Sequence, residues 1–319
     1  MKKLFVIAAA ACVTFASCVK NEPVATPEQG DLIAFESPVL APNVKATAGK
    51  TEFGDDDKFK VWAYMTEETM SPTLAVNNLY IPGEVASKEG SVWATATDYY
   101  WPNQGYITFV GCAPSSVEAT VTTAGLQIAS YTADGSGDLL VSDILFDQTK
   151  QTSVTLPFFH ALSAIKFNVA TDITGLTVTL KGIDLLNVEQ TGKYSQLAET
   201  HWTVSTTNEK TYTAFSGTQA VSADQTATTE NTAPYNLILL PQELDDIKLK
   251  VTYSVKGSSM ENAVDQVVTV DLKKSEDDKW DNGKCYTYNL TLHLDKITFT
   301  PEVVEWTPET PDAGVDVEE

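Results

Sequence analysis

The side chains that could do chemistry are few and scattered. Three histidines, His160, His201 and His293, stand far apart in sequence, so any base–acid–nucleophile set would have to be assembled by folding. No phosphate-binding glycine loop, dinucleotide fingerprint or zinc-type Cys/His spacing occurs. Asp55-Asp56-Asp57 and Glu276-Asp277-Asp278 offer the oxygen ligands that calcium takes. Their spacing fits no EF-hand loop, and solvated turns are the stronger reading. Asn289-Leu290-Thr291 matches a glycosylation sequon but lies inside a strand-like run. Trp62, Trp93, Trp101, Trp202, Trp280 and Trp306 could stack on sugar rings if exposed. Tryptophan also fills sandwich cores, and that reading is preferred. The residues therefore point to no catalytic centre, metal or cofactor.

The chain opens on a different kind of chemistry. Lys2 and Lys3 form a basic start, Leu4 to Ala11 form an apolar run too short to span a bilayer, and Phe15-Ala16-Ser17-Cys18 follows. Small residues directly before a cysteine read as a lipoprotein signal over residues 1–17, with Cys18 lipidated. Lipid on Cys18 would then be the membrane anchor. Cys12 leaves with the signal, and Cys112 and Cys285 remain. Export permits a disulfide between them; two buried free thiols are the plainer expectation.

The formal net charge is −22 and every basic residue is Lys. Such a surface repels phosphate backbones, so nucleic acid is not an expected partner. The 43% hydrophobic content, rich in β-branched residues, predicts packed cores rather than disorder. Leu176–Lys181, Ile247–Val255 and Tyr286–Leu294 alternate apolar and polar residues at period two, as half-buried strands do. Phe59–Tyr64 and Tyr106–Val110 are apolar on both faces, which predicts strands covered on both sides. Turn residues at Gly54–Asp57, Pro102–Gly105 and Asp281–Gly283 separate such runs. Short helices are allowed at Ser142–Thr149 and Asp184–Glu189. Ser205–Thr232 reads as a long loop or weak edge hairpin.

The expectation is an all-β chain of two sandwiches, each needing about 100 residues or more. Residues 18–30 form a tether, 31–156 an N-terminal sandwich, 157–308 a C-terminal sandwich and 309–319 an acidic tail.

Several pieces in order resemble one family. They are the lipoprotein signal, an early strand at Leu32–Val39, and Lys45-Ala46-Thr47 ahead of Phe59-Lys60-Val61-Trp62-Ala63-Tyr64. Tyr99-Tyr100-Trp101-Pro102, Leu156–Phe167 and Trp280–Tyr288 follow. Together they are similar to the fimbrillins of Bacteroidales, the type V pilins and related surface lipoproteins. The resemblance implies two transthyretin-like β-sandwich domains in tandem and export to the outer membrane and cell surface. It implies subunits that polymerise once a trypsin-like protease removes the first strand, Leu32–Val39, expected as a replaceable edge strand, and a neighbour's strand fills the groove, by β-augmentation. Arg is absent, so Lys45, or Lys50 as runner-up, is the matching processing residue. The donor expected is the stretch Ile297–Trp306, through Ile297, Phe299, Val303, Val304 and Trp306, although Pro301 interrupts it. Expected partners are other copies or related fimbrial subunits, and a surface ligand of a host or bacterium. The alternative is a non-polymerising lipoprotein that binds glycans or acts as an anchor or accessory subunit.

Overall fold

The computed structural model describes residues 31–40, 53–224, 226–228, 236–273, 278–294 and 296–306. Among them there are strands and no helix. The first half contributes β1 (Val39–Leu40), β2 (Lys58–Thr66), β3 (Leu79–Glu89), β4 (Val92–Thr95), β5 (Tyr106–Ala113), β6 (Thr120–Thr122), β7 (Gly125–Thr132), β8 (Leu140–Ser142), β9 (Leu145–Gln148) and β10 (Pro157–His160). The second half contributes β11 (Ser163–Thr171), β12 (Leu176–Glu189), β13 (Thr191–Ser195), β14 (Trp202–Val204), β15 (Glu209–Val221), β16 (Thr226–Ala227), β17 (Leu237–Leu239), β18 (Lys248–Gly257), β19 (Val264–Asp271), β20 (Lys284–Leu292) and β21 (Ile297–Glu305).

The largest sheet runs β1-β10-β8-β5-β2-β3-β4, with β9 also beside β5. Its central strands are covered on both faces. Phe59, Val61 and Ala63 of β2, with Ile107 and Phe109 of β5, enter one core. Trp62, Tyr64, Val110 and Cys112 on the opposite faces enter another. This is the double burial that the unbroken apolar runs predict. Between β2 and β3 the register slips at Trp62. Gly83 takes up the slip at φ +81°, and a Cβ there would lie 2.7 Å from the Trp62 indole, so only glycine fits.

In the second half two sheets face each other, one ordered β16-β11-β20-β21 with β17 beside β11, the other β15-β12-β18-β19. Ile165, Phe167, Tyr288 and Leu290 from the first meet Leu180, Ile183, Val251 and Tyr253 from the second, the layered packing of a sandwich. β11 and β20 run parallel, from Ala164↔Cys285 to Thr171↔Leu292.

The segments that allowed short helices are strands. Asp184–Glu189 lies within β12, whose register slips three times against β15. Those irregularities break the period-two alternation that would have marked a strand. Ser142–Thr149 holds the end of β8 and all of β9. Ser205–Thr232 contains β15, a 13-residue edge strand that buries Tyr212, Ala214 and Phe215. Its Thr/Ser/Ala content hides these three anchors.

A fourth sheet, β14-β13-β7-β6, joins strands from either side of the expected boundary near residue 157. The core beneath it mixes Trp62, Tyr64 and Leu126 with Leu162, Tyr194, Trp202, Leu240, Cys285 and Trp306. The two halves thus share a sheet and a core.

Candidate functional site

Residues 31–36 are an extended segment inserted between two others. On one side Ile33 N donates to Tyr99 O at 2.7 Å, and Phe35 N and Trp93 O pair at 2.8 Å. Trp93 N returns a bond to Phe35 O at 2.8 Å, and Trp101 N donates to Asp31 O at 2.9 Å. On the other side Val154 N donates to Ala34 O at 2.8 Å and Glu36 N to Val154 O at 3.0 Å. The pairing is antiparallel with Leu32↔Tyr100 and Phe35↔Trp93 and parallel with Phe35↔Val154. The sequence suggests an edge strand here; the segment is instead flanked on both sides. Backbone groups of Asp31, Ile33, Ala34, Phe35 and Glu36 bond to the two flanking segments, as in an interior strand.

Alternation then sorts its side chains. Ile33 and Phe35 are 2% and 1% exposed, while Leu32 and Glu36 face solvent. Phe35 stands edge-on to Phe59 at 5.6 Å and to Phe109 at 5.8 Å. At one end Asp31 pairs with Lys150 at 2.8 Å. At the other, Glu36 Oε1 accepts from Ser153 Oγ at 2.6 Å and Oε2 from Thr155 Oγ1 at 2.7 Å. These hydroxyls, Ser153 first, hold the Glu36 carboxyl below the usual glutamate range.

The expected donor residues lie elsewhere, on β21, the outer strand of its sheet. It pairs with β20 from Lys284↔Glu305 to Leu292↔Ile297, with Pro301 opposite Tyr288. Ile297 is buried in the C-terminal core. Phe299 stands edge-on to Tyr288 at 5.7 Å, Val304 is half-buried and Val303 is 51% exposed. Trp306 is buried in the shared core, stacked on His160 with centroids 3.8 Å apart, and its backbone N–H donates to Gly283 O at 2.7 Å. None of these five belongs to the core that holds Ile33 and Phe35. Cys18, Lys45 and Lys50 lie outside the described residues.

The histidines are not brought together into a catalytic set. His160 is buried with Nδ1 2.8 Å from Asp138 Oδ2, and its other nitrogen is closed in without a partner. His293 pairs with Asp172 at 2.6 Å and Thr298 at 2.9 Å. His201 faces the Ser195 carbonyl at 3.3 Å. No group of three or more potential metal ligands occurs among the described residues. All six tryptophans are buried, none more than 7% exposed; they are core residues rather than sugar-stacking faces. Cys112 and Cys285 are buried and unbridged. Burial pushes their thiols up to about 12 and about 11.

Sequence reasoning found the inserted strand and missed what grips it. Ser153 and Thr155 sit in a run, Gln151-Thr152-Ser153-Val154-Thr155, that carries no motif. Their only sequence signal is hydroxyls alternating about a β-branched apolar residue.

A fimbrillin-like family model matches residues 45–306, and the chain belongs to that family. It is a fimbrial-type protein rather than an enzyme. Its fold is similar to that of a fimbrial protein from Bacteroides vulgatus, at TM-score 0.62 and 19% identity, covering 86% of this chain and 100% of the other. It is also similar to a candidate cell adhesion protein from Bacteroides uniformis, at TM-score 0.53 and 16% identity, covering 86% and 99%. No curated protein matches the sequence.

Proposed function

We propose that the chain is a fimbrial subunit, exported as an outer-membrane lipoprotein through Cys18 and assembled by strand exchange after cleavage at Lys45 or Lys50. One observation carries the reading. Residues 31–36 are bound through six backbone hydrogen bonds and two buried anchors, and both lysines lie between them and β2. Cutting there would free the segment and leave an apolar groove with unpaired backbone on both walls. Such a groove is an aggregation hazard while open and a joint when a neighbour fills it. Repetition of that contact without closure builds a filament.

The C-terminal stretch Ile297–Trp306 is the donor this reading favours. It is an outer strand with Val303 exposed, and Ile297-Thr298-Phe299 repeats the apolar spacing of Ile33-Ala34-Phe35. A second reading, an anchor or accessory subunit that does not donate, draws support from the burial of Ile297 and Trp306 at the two ends of that stretch. Those side chains hold the strand in its own fold.

Trypsin treatment of the soluble chain lacking its signal tests the proposal. Residues up to Lys45 or Lys50 should be lost and high-mass species should form. An excess of a peptide spanning residues 31–40 should block them. A trimmed chain that stays monomeric at high concentration would defeat polymerisation and leave the accessory reading. Separately, Cys18→Ala should release the protein from the membrane fraction; retention at the wild-type level would defeat lipidation there.

A further inference from the structure

The grip on Glu36 is more specific than filling a groove requires. Ser153 and Thr155 are two residues apart on an extended segment, so both hydroxyls point the same way. Between them Val154, fully buried, bonds through its backbone to Ala34 and Glu36. The hydroxyls take one carboxylate oxygen each. Side chain and backbone of Glu36 are therefore read at the same point, and the register of the inserted segment is set there. A two-residue slip would bring Ala34 or Pro38 to the hydroxyls. Neither carries an acceptor side chain, and Pro38 has no N–H to offer Val154. A one-residue slip would turn Ile33 and Phe35 to solvent.

We infer that Ser153 and Thr155 form a carboxylate-reading clasp. Through it the groove selects an extended segment with two apolar residues at alternate positions and an acid immediately after the second. The inference rests on the reading that the groove's occupant can be exchanged, and it identifies the chemistry of the partner strand. It has a consequence for self-assembly. Ile297 and Phe299 laid in the places of Ile33 and Phe35 bring Thr300, not an acid, to the clasp. The groove then still admits this chain's own C-terminal stretch, but holds it less well than the strand of a related subunit that carries Asp or Glu at that place. Two charge-assisted hydrogen bonds favour the carboxylate over a neutral group. Their exposure to water keeps the preference modest, about two- to fivefold.

The test uses hydrogen exchange of the segment containing the Ile33, Phe35 and Glu36 amides in the intact chain. Glu36→Gln, Glu36→Thr and the pair Ser153→Ala/Thr155→Val should each speed exchange about two- to fivefold. Combining Glu36→Gln with the pair should add nothing further. Exchange in β12 should not change. Equal protection in Glu36→Gln and wild type, or additive effects in the combined variant, would overturn the clasp. A second arm offers trypsin-trimmed protein two peptides of residues 31–40, with Glu or Thr at position 36. Preference for the Glu peptide, lost with Ser153→Ala/Thr155→Val, supports selection; equal binding overturns it. If neither peptide enters, strand exchange itself fails and selection fails with it, while the exchange data still decide whether the clasp exists.

Discussion

Replacing Phe35 with Ala removes a ring that is 1% exposed and stands edge-on to Phe59 and Phe109. A Phe→Ala change in a packed core typically lowers stability by about 3–5 kcal/mol, the lost transfer energy adding to that of the cavity. Ring pairs of this geometry contribute about 0.5–1.5 kcal/mol each beyond area burial, so the upper part of that range applies here. A domain is stable by only about 5–15 kcal/mol in total. The segment has a cheaper escape than global unfolding. Residues 31–36 can undock while β2 and β5 stay paired to each other. Loss of one of its two anchors should therefore release the segment first. Past that point further damage to the segment has no further effect on the unfolding of the rest. Urea unfolding of Phe35→Ala should show a loss of about 3 kcal/mol or more. Ile33→Ala/Phe35→Ala should fall short of the sum of the single variants, because both report one undocking event. Exchange of the Phe35 amide should become fast while β5 stays protected. A loss below about 1 kcal/mol, or strict additivity with Ile33→Ala, would refute the idea that this segment is a separately releasable unit.

Alkaline stability reports the buried acids of the shared and C-terminal cores. Cys112 and Cys285 are raised to about 12 and about 11, and Tyr212 and Tyr286 to about 12, in each case by burial first. Each is held neutral in the fold, so the unfolded chain loses its protons first. For the thiols the stability is fully present below about pH 9 and is lost as pH rises towards the folded values. Urea midpoints from pH 8 to 10.5 should fall, and fall less steeply in Cys112→Ala/Cys285→Ala relative to its own value at pH 8; an unchanged slope would show that the thiols ionise in the native state. A fragment of residues 156–319 holds every buried residue of the core between the two facing sheets and should unfold cooperatively. Its β13–β14 hairpin, deprived of β7, should exchange fast, and exposed Tyr194, Trp202 and Trp306 should bind a hydrophobic dye. A fragment without a cooperative transition would mean that the shared sheet is needed for the C-terminal sandwich.

How much of this was legible depends on what each feature needs from its neighbours. The all-β class follows from local content. Strands such as β18 show their alternation because one partner layer covers one face, and β2 and β5 show their double burial as unbroken apolar runs. The bulges of β12 were not legible, because each slip inverts the pattern and makes a long strand look like a fragment. β15 was not legible because its three anchors are diluted among Thr and Ser. The first strand was visible through Ile33 and Phe35, but its flanking on both sides depends on Tyr99, Trp93 and Val154, which alternation alone cannot assign to it. The clasp was the least legible. Ser153 and Thr155 are ordinary residues until Val154 fixes their phase against Glu36, and only its backbone bonds to Ala34 and Glu36, distant in sequence, do so. Apolar pattern therefore says which strand can enter a groove. The polar residues at the groove's rim, set by long-range register, decide which strand it prefers.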